Sequence, residues 1–198
     1  MIRWLSLVIA LAAPLHAQDL PAFFSVTGVA ANDVLNIRAR PDAQSEIIGS
    51  LAFDATGIEV VRISGDWGLI NSGDSAGYAS LRYLERAPGP QWTALQSPIL
   101  CLGTEPFWSL EIDPQGDRVR LATPEDPEPT DMAIEALWPA GPWARSAAVG
   151  LPDGMAVLVG AECSDGMSDR AYGIAVDIFR QEPEGETRRA GCCRLAQP

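Results

Sequence analysis

Leu35-Asn36-Ile37-Arg38-Ala39-Arg40-Pro41 alternates apolar and polar side chains and then stops at a residue that cannot donate to a strand ladder. A period of two marks a β-strand with one face on a core. The same reading extends outward. Ile47 to Leu51 is a second short strand, interrupted by Gly49, and the β-branched run Ile58 to Ile63 is a third. Ser64-Gly65-Asp66 turns the chain into Trp67-Gly68-Leu69-Ile70. Gly73-Asp74 and Gly77 mark the next turn, and Tyr78-Ala79 begins a last strand. From Phe24 to Glu85 no stretch carries the 3.6-residue apolar period of a helix.

Ala87-Pro88-Gly89-Pro90 breaks any regular element, so residues 87–98 read as a linker. A second block, 99–195, is again strand-rich. Trp108, Leu110 and Ile112 alternate with Ser109, Glu111 and Asp113; Pro114-Gln115-Gly116-Asp117 follows; then Val119 and Leu121 alternate with Arg118 and Arg120. This predicts a hairpin with a four-residue turn, Trp108 on its apolar face, and the two acids opposite the two arginines on its outer face. Met155 to Val159 and the alternating run Tyr172, Ile174, Val176, Ile178 predict further strands, and Pro183-Glu184-Gly185-Glu186 turns the chain into a strand containing Cys192-Cys193. The expected fold class is all-β: a small barrel followed by a second small antiparallel β domain with disulfides.

The first block resembles a bacterial SH3 domain. The resemblance is carried by Leu35 to Pro41, Ile48-Gly49-Ser50-Leu51, Gly65-Asp66-Trp67-Gly68-Leu69-Ile70, Gly77-Tyr78-Ala79-Ser80-Leu81 and Tyr83-Leu84, in order over residues 24–86, with Tyr78 where the family often has Trp. It implies a partly open β-barrel of the cell envelope that binds peptidoglycan peptides or protein segments. The arginine-proline turn at Arg40 and the nearby aromatics can make a shallow groove, so Trp67, Tyr78, Tyr83 and Arg40 are the candidate ligand-binding residues, the aromatics having barrel packing as their alternative role. The second block is similar to a group of envelope proteins without assigned chemistry. The shared residues are Cys101-Leu102-Gly103-Thr104-Glu105-Pro106-Phe107-Trp108 (Asn is more usual at Thr104), Cys163-Ser164-Asp165-Gly166-Met167-Ser168-Asp169 and Gly191-Cys192-Cys193. Some members of that group neighbour domains resembling periplasmic inhibitors of c-type lysozyme.

Met1-Ile2-Arg3, the apolar run Trp4 to Ala13 and Leu15-His16-Ala17 form the three-part pattern of a secretory signal, predicting export to the periplasm or beyond and no stable membrane insertion after cleavage at residue 17. The run is shorter than the ~20 residues of a spanning helix. Four cysteines in an exported chain predict two disulfides, and without a Cys-x-x-Cys pair or a histidine they make a poor zinc site. Strand neighbours point to opposite faces, so Cys192 and Cys193 should bond separately to Cys101 and Cys163. Both arrangements remain open; Cys163–Cys192 with Cys101–Cys193 is preferred.

Fourteen basic residues face 26 acids, a net charge of −12, and all the bases are arginine. Such a surface repels phosphate backbones, so nucleic acid is not an expected partner. The single histidine, His16, lies in the expected signal. Its loss removes Cys-His and Ser-His pairs, and the absence of lysine removes Ser-Lys chemistry. No cofactor or metal site is read. Glu105, Asp165 and Asp169 are the remaining candidates for carboxylate hydrolysis or for calcium, against a simpler role in turns. Trp143, after Gly141-Pro142, is either an exposed interaction residue or a lid on the sheet. The expected function is a non-enzymatic envelope protein binding a cell-wall peptide or a protein partner. Inhibition of a wall-degrading enzyme such as lysozyme is one alternative, and a weak carboxylate-based glycosidase is another.

Overall fold

The computed structural model describes residues 20–126, 128–141, 144–183 and 185–197; the expected signal at 1–17 and Trp143 lie outside them. Among the described residues the chain is all-β, arranged as two antiparallel sheets. The first sheet contains β1 (Ala22–Val26), β2 (Val34–Arg38), β3 (Ile47–Ala52), β4 (Ile58–Ser64), β5 (Trp67–Ser72), β6 (Ser75–Ser80) and β7 (Leu84–Arg86), in the order β3-β2-β6-β5-β4-β1-β7. It bends into a half-barrel. Leu35 and Ile37, the apolar members of the opening alternation, are buried with Phe24, Val60, Ile70 and Leu84 in its core.

The second sheet contains β8 (Ile99–Thr104), β9 (Phe107–Asp113), β10 (Arg118–Ala122), β11 (Thr130–Ala133), β12 (Ala136–Trp138), β13 (Ser146–Leu151), β14 (Gly154–Cys163), β15 (Tyr172–Glu182) and β16 (Gly185–Leu195). Their order is β11-β10-β9-β8-β16-β15-β14-β13-β12. The β9–β10 hairpin has the expected register, Asp113 opposite Arg118 and Glu111 opposite Arg120. The pairs close at 3.4 and 3.5 Å, and Arg120 also reaches Asp131 at 3.2 Å. These side chains are mostly half-exposed, so they favour this register more than they add stability.

The cysteines pair as Cys101–Cys193 and Cys163–Cys192, with Cα separations of 3.9 and 5.6 Å. Cys101 stands directly opposite Cys193 across β8 and β16. Cys192, facing the other way, reaches Cys163 on β14, beyond β15. Formation of both bonds calls for an oxidising compartment. No helix among the described residues is long and apolar enough to cross a membrane.

Trp108 is buried on the core side of β9, as its alternation requires. Two glycines make room for its indole. A Cβ on Gly103, opposite Trp108 in the register, would stand 2.1 Å from Nε1, and one on Gly191 would stand 2.6 Å from Cζ2. Gly103 is therefore a space for the tryptophan, and Gly191 a space for both the tryptophan and the Leu102 carbonyl oxygen, which a Cβ there would meet at 2.1 Å.

The segment read as a linker is only partly one. Residues 92–94 form a single 3₁₀ turn, and Trp92 and Leu95 are 6% and 2% exposed within the core of the second sheet. The core of the second unit thus begins before residue 99, and little free tether remains.

The two sheets meet along a seam in which Phe23 packs on the second core, Pro21 and Val61 lie against Gly173, and polar groups pair across it. Asn71 reads the backbone of Ala171 at two points, donating from Nδ2 to its carbonyl and accepting its N–H at Oδ1, both at 2.9 Å. The Asp169 N–H donates to Asp74 O at 3.0 Å, and Arg170 Nη1 donates to Gly73 O at 2.9 Å. Arg62 pairs with Glu162 at 2.9 Å. Leu195 lies past the last residue pair of β15 with β16, Ile174 with Cys193, and Glu59 Oε1 accepts its N–H at 2.9 Å.

Trp92→Ala should destabilise the oxidised chain by about 3–5 kcal/mol, the cost of emptying a buried tryptophan site. Urea unfolding measures it. A change below about 0.5 kcal/mol, the range of ordinary surface substitutions, would show that residues 92–95 are the tether their composition suggests.

Candidate functional site

Trp67 opens β5 directly after the turn at Gly65, whose φ of 58° favours glycine. Its cross-strand neighbour is Ser80, and the next residues on its strand, Gly68 to Ile70, are buried. Ile70 faces the barrel core, so odd-numbered Trp67 projects from the opposite face. Tyr83 ends a 3₁₀ turn, Leu81–Tyr83. Its carbonyl accepts the Thr27 N–H at 2.9 Å, and its ring lies beside Gly28, at φ 68°. These constraints bring Trp67 and Tyr83 to one groove of about 580 Å³. Both are half-buried.

Polar groups share the groove. The Arg82 guanidinium carbon stands 5.5 Å from the Tyr83 ring centroid, a cation–π distance. Arg38, Asn36 and Asp33 line the same walls. Arg38 is held by donating from Nη1 to Ser45 O at 2.6 Å. Two aromatic surfaces between groups of both charges suit an extended chain with apolar and charged side chains.

The other two candidates lie elsewhere. Tyr78 shares the outer face of Trp67 but sits two residues further along β6, opposite Leu69. Its hydroxyl accepts from Arg62 Nη2 at 3.1 Å, and Arg62 reaches Glu162 across the seam. Tyr78 therefore belongs to the junction between sheets. Arg40 is exposed; its backbone N–H donates to Ser45 Oγ at 3.0 Å, closing the arginine-proline turn outside the groove. No motif in the sequence marks Arg82 or Arg38 as a ligand contact, although Arg82 is the immediate neighbour of Tyr83.

Asp165 occupies a different kind of site. Its carboxylate accepts the Met167 and Ser168 N–H groups at 3.0 and 2.9 Å, the Ser168 hydroxyl at 2.7 Å and the Tyr172 hydroxyl at 3.2 Å. Burial alone raises its pKa, but these four donors more than offset it and bring the carboxyl down to about 2. Thr104 Oγ1 donates to Asp165 O at 3.0 Å, so the segment preceding cis Glu105–Pro106 is tied to the Asp165 loop. The carboxylate is engaged by its own turn, while Glu105 and Asp169 are exposed. Among the described residues no group of three His, Cys, Asp or Glu side chains is placed to hold a metal ion.

Comparison with protein-family models, with curated proteins and with solved structures found no match.

A carboxyl depressed below its unfolded value contributes stability above that value, near 4, and loses it as pH falls toward 2. Asp165→Asn should therefore abolish part of the acid dependence of the thermal midpoint between about pH 4 and pH 2. Parallel melts of both proteins check this, and superimposable pH profiles would contradict the hydrogen-bond account.

Proposed function

We propose that this chain is an exported, non-enzymatic binding protein of the cell envelope. In this reading residues 24–86 are a bacterial SH3 domain, and the groove of Trp67 and Tyr83 takes a cell-wall stem peptide or an extended segment of an envelope protein. The convergence of those two aromatics with Arg82 and Arg38 in one groove is the observation that carries it. Aromatic faces hold apolar portions of a peptide at little entropic cost, and the arginines and Asp33 offer partners to its carboxylates and amines.

The remaining support comes from residue types. Outside the first seventeen residues there is no histidine, and the chain has no lysine, so the usual bases and nucleophile partners are lacking. The disulfides fit a periplasmic or secreted location. The second sheet, rigidified by those bonds and joined to the first by the seam, holds the half-barrel and its groove in a fixed setting.

Co-sedimentation of the oxidised full chain with purified peptidoglycan tests the wall reading. Trp67→Ala and Tyr83→Ala should each weaken binding at least tenfold, as central aromatics of an interface do, while Tyr78→Phe leaves it unchanged. Failure of the unsubstituted chain to pellet would overturn the wall reading and leave a protein segment as the occupant to seek by periplasmic crosslinking.

A further inference from the structure

The seam encloses a second cleft, apart from the Trp67 groove and independent of its reading. It measures about 300 Å³, at the small end of ligand sites, and it lies between two packed units, where such sites are common. Phe23 and Leu195 are among its apolar walls; Glu59, Asn71, Arg170 and Arg194 are among its polar groups, with Gln197, whose Nε2 donates to Gly57 O at 3.1 Å.

These groups arrive from four places in the chain. Glu59 is on β4, Asn71 on β5, Arg194 on β16, and Arg170 just precedes β15. Asn71 is occupied by Ala171, and one Arg170 nitrogen by Gly73. Both arginines act electrostatically on the Glu59 carboxyl. One oxygen of that carboxyl is taken by the Leu195 N–H. Two arginines thus line a cleft containing a single carboxyl, and both act on that carboxyl.

We propose that this cleft binds a small organic carboxylate, the anion held by Arg194 and Arg170, its apolar body against Phe23 and Leu195. Guanidinium matches a carboxylate in shape and charge and keeps its own charge at any working pH. Glu59 participates as the neutral acid: Oε1 keeps the Leu195 N–H while the O–H on the other oxygen donates to the bound anion. Two ionised carboxylates in this space would repel, so the ligand and an ionised Glu59 exclude each other.

Proton linkage then follows. Burial pushes the Glu59 carboxyl up to about 7, the Leu195 hydrogen bond and the two arginines only partly offsetting it. Below that value Glu59 is neutral and the cleft accepts the anion. Above it Glu59 ionises and competes for the same arginines.

Isothermal titration of the oxidised full chain with N-acetylalanine, whose carboxylate stays ionised well above pH 4, tests this. N-acetylalaninamide is the control lacking the charge. Binding at pH 6 should weaken about tenfold at pH 8, the consequence of ionising one group near 7. Glu59→Gln should bind equally at both values. Arg194→Gln should lose at least tenfold at pH 6 while its near-ultraviolet dichroism stays unchanged; Arg194 makes none of the seam hydrogen bonds described above. The proposal is overturned by equal binding of the amide, by undiminished binding to folded Arg194→Gln, by a pH dependence that survives Glu59→Gln, or by no heat with the unsubstituted chain at pH 6.

Discussion

The strict alternation of side chains along β16 is the constraint on which the rest of this structure depends. Within five residues, Gly191 leaves room for Trp108, Cys192 and Cys193 bond to different strands, and Leu195 reaches the first sheet through its N–H. A strand places neighbours on opposite faces, so one pair of adjacent cysteines can staple β8 on one side and β14 on the other. A slip of one residue would exchange the faces, putting arginine where cysteine and leucine now meet the core. The two cross-links exclude that slip, since each cysteine has a single partner within reach.

The position of the first sheet follows from the end of that strand. Beyond Ile174 and Cys193, β15 and β16 no longer pair. The backbone freed there, at Leu195 and Ala171, is satisfied by Glu59 and Asn71 from the half-barrel. Buried backbone groups require partners, and the first sheet supplies them. The seam is specific because it reads backbone through a bidentate amide.

Much of the fold is legible in the sequence where local pattern and local turn agree. Asp113 and Arg118 are forced into register by the four residues between them, and Trp108 takes the core face because its neighbours alternate without interruption. The cysteine pairing is half legible: adjacency requires separate partners, and only the sheet order selects which. Local pattern fails where distant contact decides. Trp92 and Leu95 lie in proline- and glycine-rich surroundings, and tertiary burial overrides that composition. Strands β12 and β13 are short or rich in alanine and glycine, so no apolar period announces them. Of the four proposed ligand residues, Trp67 and Tyr83 share the groove: Trp67 follows the turn at Gly65, and Tyr83 ends a 3₁₀ turn and lies beside Gly28, a contact distant in sequence. Tyr78 is directed by Arg62 and Glu162, a contact between sheets that no local motif records. Glu59 is equally silent in the sequence, an ordinary acid in an apolar strand until Leu195 arrives 136 residues later.

Whether the half-barrel groove receives a peptide is the central question. Heteronuclear NMR of the oxidised full chain, titrated with soluble stem-peptide fragments, reports on it residue by residue. The Trp67 indole N–H and the backbone amides of Arg82 and Tyr83 should shift in a saturable way, while Tyr78 stays unmoved. Saturable shifts confined to the second sheet, or an unperturbed Trp67 at fragment concentrations well above those that saturate other peptide-binding grooves, would contradict peptide binding in the groove.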